Sequence, residues 1–252
     1  MVTTNDIEKN IPLAEVSCFT IPYYIQIIKK LEEAGFTFSL FKSSLQADRK
    51  VYMRHDVDLS IDRALFLARI EAQQRVTASY FLMIDTELYN VGSSNEQDKI
   101  SEIIDLGHDI GLHFVPKPNM DKLALEEQLV KEGDILGKLI NHPILAFSIH
   151  RPADGVISAD LSPTGMVNAY APAYFSKLKY ISDSNHHFRC GDPLQFIQNF
   201  EGYTLQILTH PVWWSSEDLT PEKKIYDLIE DYDLRAKSYL CKNVTFAREV
   251  LG

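Results

Sequence analysis

Side chains that can bind metal ions or transfer protons occur within or directly after five apolar segments of this sequence. They occur in the stretches Arg54-His55-Asp56-Val57-Asp58, His108-Asp109-Ile110-Gly111-Leu112-His113, His150-Arg151-Pro152, Ser182-Asp183-Ser184 and Leu208-Thr209-His210-Pro211. Carboxylates and imidazoles bind divalent metals and act as general acids and bases. Five such groups are hard to obtain by chance, so the pattern indicates one chemical site assembled from distant parts of the chain.

The Asp-x-Asp in the first of these stretches is the clearest candidate for holding a cation. Arg54, Asp56 and Asp58 alternate along the chain, so an extended backbone directs all three side chains to one side. Two carboxylates held close together repel each other unless a cation or a proton lies between them. The alternatives are a solvated turn for the Asp-x-Asp and a hydrogen-bonded core histidine for His113. Because polar residues also occur at the other predicted strand ends, we favour a functional site over both of these alternatives.

The elements that must position these residues alternate regularly between strand and helix. Hydrophobic patterning predicts strands over 36–40, 51–56, 79–84, 109–114, 143–149, 179–182 and 203–209. Apolar stripes and the capping residues Thr20, Ser60, Asp121 and Thr220 predict helices between or beside them. This alternation implies a mostly parallel sheet, either a (β/α) barrel or an open doubly wound sheet. Because the carboxyl ends of parallel strands converge, we expect the polar stretches at one mouth.

Composition argues against several other classes of protein. The 252 residues include 25 Lys and Arg against 35 Asp and Glu, a net charge of −10, so no basic face is expected for nucleic acid or an anionic membrane. No apolar run approaches the ~20 residues of a membrane span. No GxGxxG or GxxxxGK[ST] follows a predicted strand, which disfavours a Rossmann or P-loop nucleotide site.

The expected compartment is the cytoplasm. Cys18, Cys190 and Cys241 are far apart and odd in number, which is typical of reduced thiols. Residues 1–10 are polar and lack the apolar core of a signal peptide. Since no repeat or linker is present, we expect residues 1–252 to form a single catalytic domain, with a helix–strand extension over about 1–48.

The order of the motifs resembles the polysaccharide deacetylases, the NodB-homology or carbohydrate esterase family 4 enzymes. The matching sequence runs Asp-x-Asp, Gly-His-Asp-Ile-Gly-x-His, Arg-Pro-x-x-Gly, an Asp loop and Leu-x-His, from about Val51 to Trp214. The resemblance implies a distorted (β/α)7 barrel. It also implies a hydrolase that uses a divalent metal, with Zn²⁺ the expected ion, to remove an N-acetyl group from a sugar or sugar conjugate.

The resemblance also implies roles for particular residues. Asp56 matches the catalytic base, and Arg151 the arginine that orients it. His210 matches the general acid, and Asp183 its orienting partner. Asp58 and His113 match metal ligands. Pro152 and Gly155 complete the third motif, and Leu208 the fifth.

One expected ligand is missing, because Lys117 stands where the family has a second histidine four residues after the first. Catalytic zinc usually has three protein ligands and a water. The candidates for the third ligand are His150, His210, His186 and His187. His150 is preferred because it ends its own strand, so we expect a site of Asp58, His113 and His150.

Two other motifs also depart from the family's usual pattern. The first motif reads Asp-Val-Asp, and the third has Ala153 where the family usually has a proline.

These departures indicate a divergent branch, similar to deacetylase-like proteins of surface-polysaccharide gene clusters. Two alternatives stay open: a hydrolase of another C–N bond in a small amide on the same barrel, and a catalytically inactive carbohydrate-binding relative. The acetylated sugar could be nucleotide-linked, lipid-linked or part of an oligosaccharide. Of Trp213 and Trp214, at least one is expected in the core, and the pair could also stack on a sugar.

Overall fold

The computed structural model describes residues 18–42, 49–151, 161–163, 165–175 and 179–251. Pro152, Ala153 and Gly155 of the third motif lie outside the described residues, as do 1–17 and 43–48 of the N-terminal extension. Within the described ranges, no helix is both long and apolar enough to cross a membrane.

Among the described residues, the centre of the molecule is an eight-stranded sheet in which every strand pairing is parallel. Its strands are β1 (Thr37–Phe38), β2 (Lys50–Val57), β3 (Ser79–Leu82), β4 (Asp109–Phe114), β5 (Ala146–Ile149), β6 (Val167–Asn168), β7 (Tyr180–Ser182) and β8 (Thr204–Thr209). The spatial order is β6-β5-β4-β3-β2-β8-β7, and β1 pairs with the first residues of β2. This order places the ends of β2, β4, β5 and β8 along one rim of the sheet.

The sheet is curled into a half-barrel with helices on its outer side, which confirms the predicted distorted (β/α)7 barrel. Among the described residues, no backbone pairing joins the two edge strands, β6 and β7. Aromatic rings link these edges instead, because Phe175 lies between Tyr170 and Tyr180 with ring centroids 5.1 and 4.9 Å apart. The rings therefore form a wall where the barrel lacks a strand pairing.

Four of the described helices begin directly after the residues that the sequence marks as caps. The helices are α1 (Ile21–Glu33), α2 (Ile61–Gln73), α3 (Ser94–Asp105), α4 (Lys122–Ile140), α5 (Pro193–Asn199), α6 (Pro221–Asn243) and α7 (Ala247–Leu251). The side chains of Thr20, Ser60, Asp121 and Thr220 each accept a hydrogen bond from the backbone N–H three residues later. Such caps satisfy donors that a helix start leaves without an intrahelical partner.

A buried polar network ties β2 to β8 behind the rim. Nδ1 of His55 lies 2.6 Å from Oγ1 of Thr209, and its Nε2 lies 2.9 Å from Glu71. Tyr24 and Tyr80 each donate their hydroxyl to Glu71 at 2.6 Å. Since His55 precedes Asp56 and Thr209 precedes His210, this contact fixes the two strand ends that carry predicted catalytic residues.

Candidate functional site

A cavity of about 930 Å³ opens at the carboxyl ends of the strands. The predicted site residues Asp56, Asp58, His113, His150, Arg151 and His210 all line it. Asp183 lies behind His210 and is fully buried. The structure thus brings together polar residues from β2, β4, β5 and β8, as the convergence of parallel strand ends requires.

Asp58, His113 and His150 form the group that could hold a metal ion. One ligand atom from each residue lies within 4.8 Å of the others. Nε2 of His113 is 3.1 Å from Oδ1 of Asp58 and 3.2 Å from Nδ1 of His150. Nδ1 of His150 is also 3.6 Å from Oδ1 of Asp58. The cluster comprises the three residues that we expected as ligands.

The chemistry of this cluster fits a divalent cation. Oδ1 of Asp58 is buried and makes no hydrogen bond, although Nε2 of His113 lies 3.1 Å away. Nδ1 of His113 lies 2.6 Å from Oγ of Ser148, and a proton on Nδ1 leaves the lone pair of Nε2 directed at the cluster. Burial alone would raise the pKa of Asp58, but His113 and His150 hold this pKa well below its usual range. One anionic oxygen and two imidazole nitrogens are a donor set that suits zinc.

Asp56 is the carboxylate of an internal ion pair. Arg54 donates from Nε to Oδ1 at 2.9 Å and from Nη2 to Oδ2 at 2.7 Å. Ser148 donates to Oδ1 at 3.2 Å, and Nε2 of His113 lies 3.7 Å from Oδ2. Burial would raise the pKa of Asp56, but the guanidinium of Arg54 lowers it below its ordinary value. Asp56 is therefore ionised next to the candidate metal cluster.

The arginine that orients Asp56 differs from our expectation. We expected Arg151, but Arg151 is exposed at the mouth of the cavity, and the two hydrogen bonds to Asp56 come from Arg54. Arg54 precedes Asp56 by two residues in β2, so the two side chains share a face of the strand. Arg151 follows the end of β5 with a φ of 43°, which turns the chain out of the strand direction. The sequence feature that indicated a contact between Arg54 and Asp56 was their alternation along a predicted strand.

Arg54 is held by residues that the sequence analysis did not select. Its Nη1 donates to Oε1 of Gln206 at 3.2 Å, and its Nη2 donates to the hydroxyl of Tyr170 at 3.0 Å. The guanidinium also lies 4.5 Å from the centre of the Tyr170 ring. A fully buried arginine needs such partners because an unpaired buried charge is very costly. Gln206 and Tyr170 thereby fix the carboxylate of Asp56 through Arg54.

His210 and Asp183 form a second pair at the end of β8, the strand next to β2. Nδ1 of His210 lies 2.6 Å from Oδ1 of Asp183, and the backbone N–H of His210 donates to both carboxylate oxygens at 3.0 Å. Trp214 donates its indole N–H to Oδ2 of Asp183 at 3.0 Å. Burial would lower the pKa of His210, but Asp183 raises it to about 9. Nε2 of His210 lies 3.9 Å from Oδ2 of Asp58, at the side of the cavity that holds the candidate metal cluster.

The remaining candidates lie away from the cluster. Lys117 is exposed and does not line the cavity. His187 is exposed, whereas His186 is half-buried and stacks on Phe19 with ring centroids 3.8 Å apart, so it packs rather than facing the cluster. Trp214 is buried in the core, whereas Trp213 lines the cavity.

Comparisons with known proteins give matches among solved structures alone. No family model matches the sequence, and no curated protein matches it. A carbohydrate esterase family 4 (CE4) enzyme from Streptococcus mutans aligns at 16% identity and a TM-score of 0.50, covering 77% of this chain and 86% of its own. The chitin deacetylase of the fungal pathogen Colletotrichum lindemuthianum aligns at 14% identity and a TM-score of 0.49, with the same coverage of 77% and 86%.

A CE4 family pseudoenzyme from Bacillus anthracis is also similar, at 15% identity and a TM-score of 0.43 over 73% of this chain. The chain spans 62% of the length of that pseudoenzyme, less than two thirds. At these identities the similarity to solved structures concerns the fold. The parallel half-barrel and its strand-end site agree with the resemblance read from the motifs, and the chain has the fold of the carbohydrate esterase family 4 polysaccharide deacetylases.

Proposed function

We propose that this protein is a metal-dependent hydrolase that removes the N-acetyl group from a sugar. One observation carries the proposal: an ionised carboxylate, Asp56, and a protonated imidazole, His210, each lie within 4 Å of the Asp58–His113–His150 cluster in one cavity. A base and an acid next to a metal cluster are what amide hydrolysis requires.

Asp58, His113 and His150 would hold the divalent ion, with Zn²⁺ the expected one. When bound, such an ion lowers the pKa of a water and polarises a carbonyl group. Ser148 would keep His113 in the ligating tautomer, because its Oγ occupies Nδ1. Ser148 also donates to Asp56, so the same hydroxyl positions a ligand and the base.

Asp56 would take the proton of the attacking water. The carboxylate is ionised because Arg54 lowers its pKa, and Oδ2 faces Nε2 of His113 at 3.7 Å. Arg54 holds both carboxylate oxygens, so the base cannot rotate away from the cluster. The oxygen of that water adds to the acetyl carbonyl carbon as the proton moves to Asp56.

His210 would protonate the departing amine. Its Nδ1 is held by Asp183, so the proton available for transfer is on Nε2. With a pKa of about 9, the ring is protonated at neutral pH. The C–N bond breaks as Nε2 delivers this proton to the nitrogen, which leaves acetate and an amino sugar. Asp183 stabilises the ring before transfer and fixes its orientation.

The proposed setting is the biosynthesis of a surface polysaccharide in the cytoplasm. Cys18, Cys190 and Cys241 are all free thiols, which suits a reducing compartment. The substrate would be an N-acetylated sugar, and Trp213 offers a ring on which a sugar face could stack.

The direct test is acetate release by the purified, zinc-loaded chain from a panel of N-acetylated sugars, with and without a chelator. We expect chelator-sensitive release that is lost in Asp56→Asn and kept in Asp105→Asn, an exposed carboxylate on α3. Release of an amine without acetate would instead identify a hydrolase of another C–N bond. Bound zinc without any turnover would indicate an inactive carbohydrate-binding protein.

A further inference from the structure

The mouth of the cavity carries two arginines, Arg151 and Arg189. The carboxylates among the described lining residues are Asp56 and Asp58, both at the strand ends that form the floor. Arg54 neutralises the first, and the candidate metal cluster includes the second. The mouth therefore presents positive charge in a chain whose net charge is −10.

Arg189 is fixed at this mouth by the packing of its neighbours. Phe188, directly before it, is buried and stacks on Phe19 with ring centroids 5.1 Å apart. Cys190, directly after it, is half-buried and also lines the cavity. The same loop begins at Asp183, which the backbone N–H of His210 anchors. Arg189 is thus an exposed side chain on a well-packed segment that begins at Asp183, the partner of His210.

The position of Arg151 is set by the residue that precedes it in the chain. It follows His150 directly, and the backbone N–H of His150 donates to the carbonyl of Phe114 at 2.8 Å, which holds this point against β4. Its φ of 43° lies in the left-handed region, which L-residues other than glycine seldom adopt. Such backbone conformations cluster at ligand-binding sites. Arg151 therefore leaves the end of β5 beside a candidate metal ligand.

Neither arginine has a carboxylate partner within the ranges that the structure describes. Other arginines of this chain do, such as Arg63 with Asp231 and Arg69 with Glu102. The lining near Arg189 also offers neutral hydrogen-bonding groups, the hydroxyl of Ser184 and the amide of Asn185. Two guanidinium groups and neutral donors around a concave mouth are suited to an oxyanion, which arginine binds through paired N–H groups.

We propose that the N-acetylated substrate carries an oxyanion, a phosphate ester or a carboxylate, which Arg151 and Arg189 bind at the mouth while the acetyl group reaches the metal cluster. This inference rests on the proposed function, because it names the substrate of the same cavity. The cavity volume of about 930 Å³ is near the upper end for small-molecule sites, so it has room for a sugar and an anionic substituent.

The test measures binding and turnover separately with the zinc-loaded full chain. The probes are N-acetylglucosamine, its 1-phosphate, its uridine diphosphate ester and its 6-carboxylate. The variants are Arg151→Gln, Arg189→Gln and their double variant. Arg75→Gln is the matched control, because Arg75 is also exposed with a positive φ but lies outside the cavity.

We expect at least one anionic probe to bind the wild type more tightly than N-acetylglucosamine does. Each single variant should weaken that binding by about tenfold or more, the usual loss for hydrogen bonds between charged groups. The Arg75→Gln variant should bind as the wild type does. The phosphate and carboxylate probes distinguish the two kinds of oxyanion.

Equal binding or turnover of neutral and anionic probes would overturn the inference and leave the deacetylase proposal intact. Tight, arginine-dependent binding of an anionic probe without acetate release would support the inference and contradict the deacetylase proposal. A lower kcat for every probe in Arg151→Gln, with KM unchanged, would instead show that Arg151 acts on the reacting groups. Binding of none of the probes would also overturn the inference.

Discussion

Arg54 and Asp56 lie on one face of a single strand and form a buried ion pair with two hydrogen bonds, 2.9 and 2.7 Å long. The guanidinium of Arg54 is fully buried, and Asp56 is 3% exposed. The pair has two consequences: it keeps Asp56, the proposed base, ionised, and it joins the floor of the cavity to Gln206 and Tyr170.

Replacement of Arg54 should destabilise the protein more than replacement of the exposed Arg151. Arg54→Met leaves Asp56 buried without its counter-charge, which typically costs about 3–5 kcal/mol. Arg151→Met should change the free energy of unfolding by less than about 0.5 kcal/mol, as exposed substitutions usually do. Denaturant unfolding of both variants measures the difference. Adding Asp56→Leu to Arg54→Met should recover part of the loss, and a double variant no better than the single one would contradict this account.

Asp56→Asn should remove activity and leave metal bound. The amide keeps the shape of the carboxylate but cannot accept the proton of the attacking water, so we expect turnover to fall by about 10²–10⁴-fold. Zinc content and acetate release, measured on the same preparation, test both halves. Retained turnover would place the base elsewhere, and loss of zinc would make Asp56 a ligand.

Replacement of His150 should lower zinc affinity more than replacement of Ser148 or His187. Ser148 contacts the proposed ligand His113 and is not itself a proposed ligand. Loss of such a hydrogen-bonding partner usually lowers metal affinity by about 10–100-fold, so we expect a loss of this size in Ser148→Ala. His150→Ala should exceed that loss, and His187→Ala, an exposed histidine, should show none. Competition with a chromophoric chelator measures all three. Unchanged zinc affinity in His150→Ala would remove His150 from the ligand set.

His210→Ala should lower the deacetylation rate by about 10²–10⁴-fold, the usual contribution of a general acid. Zinc affinity should hardly change, because Nδ1 is bound to Asp183 and Nε2 lies 3.9 Å from Oδ2 of Asp58. A variant that purifies without zinc would make His210 a ligand and would require another acid.

Stability should fall on the acid side because of His108, which is buried away from the cavity. Its Nδ1 accepts the backbone N–H of Ala78 at 3.2 Å, and its Nε2 lies 3.0 Å from the carbonyl of Ala68, so the ring is neutral. Burial lowers the pKa of His108, and below pH ~6.5 the unfolded chain binds a proton that the folded chain does not. The free energy of unfolding should therefore decrease as pH falls from about 6.5 to 5.

The matched variant is His108→Gln, which cannot titrate in that range. Unfolding free energies at pH 5 and pH 6.5 should differ less for this variant than for the wild type, by at most ~1.4 kcal/mol per pH unit for one proton. An equal slope in both proteins would assign the acid-side loss to other groups.

The strand-end residues were predictable because each lies in a local pattern. Asp109–Phe114 has the bounds expected for β4, and Thr20, Ser60, Asp121 and Thr220 cap helices as expected. By contrast, Val167–Asn168 and Pro193–Asn199 were not predicted. A two-residue strand and a seven-residue helix are too short for a periodic pattern to emerge.

The sequence by itself determined the parallel α/β architecture, the strand ends that carry chemistry and the order of motifs that resembles the deacetylases. Periodicity and capping are local properties, and parallel strands bring their carboxyl ends together whatever the details of packing. His150 could be proposed beside Asp58 and His113 on the same ground, since all three lie at or directly after the ends of strands that meet at that rim.

Tertiary structure alone decided which arginine holds Asp56. Arg54 and Arg151 both lie close to acidic or ligating residues in the sequence, but Arg54 remains within β2, where it also donates hydrogen bonds to Gln206 of β8 and to Tyr170, which follows β6. Arg151 itself has a left-handed backbone conformation, which turns the chain away from β5, and its side chain is exposed at the mouth of the cavity. A buried charge is tolerated where polar partners surround it, and two of these partners, Gln206 and Tyr170, come from segments more than a hundred residues away.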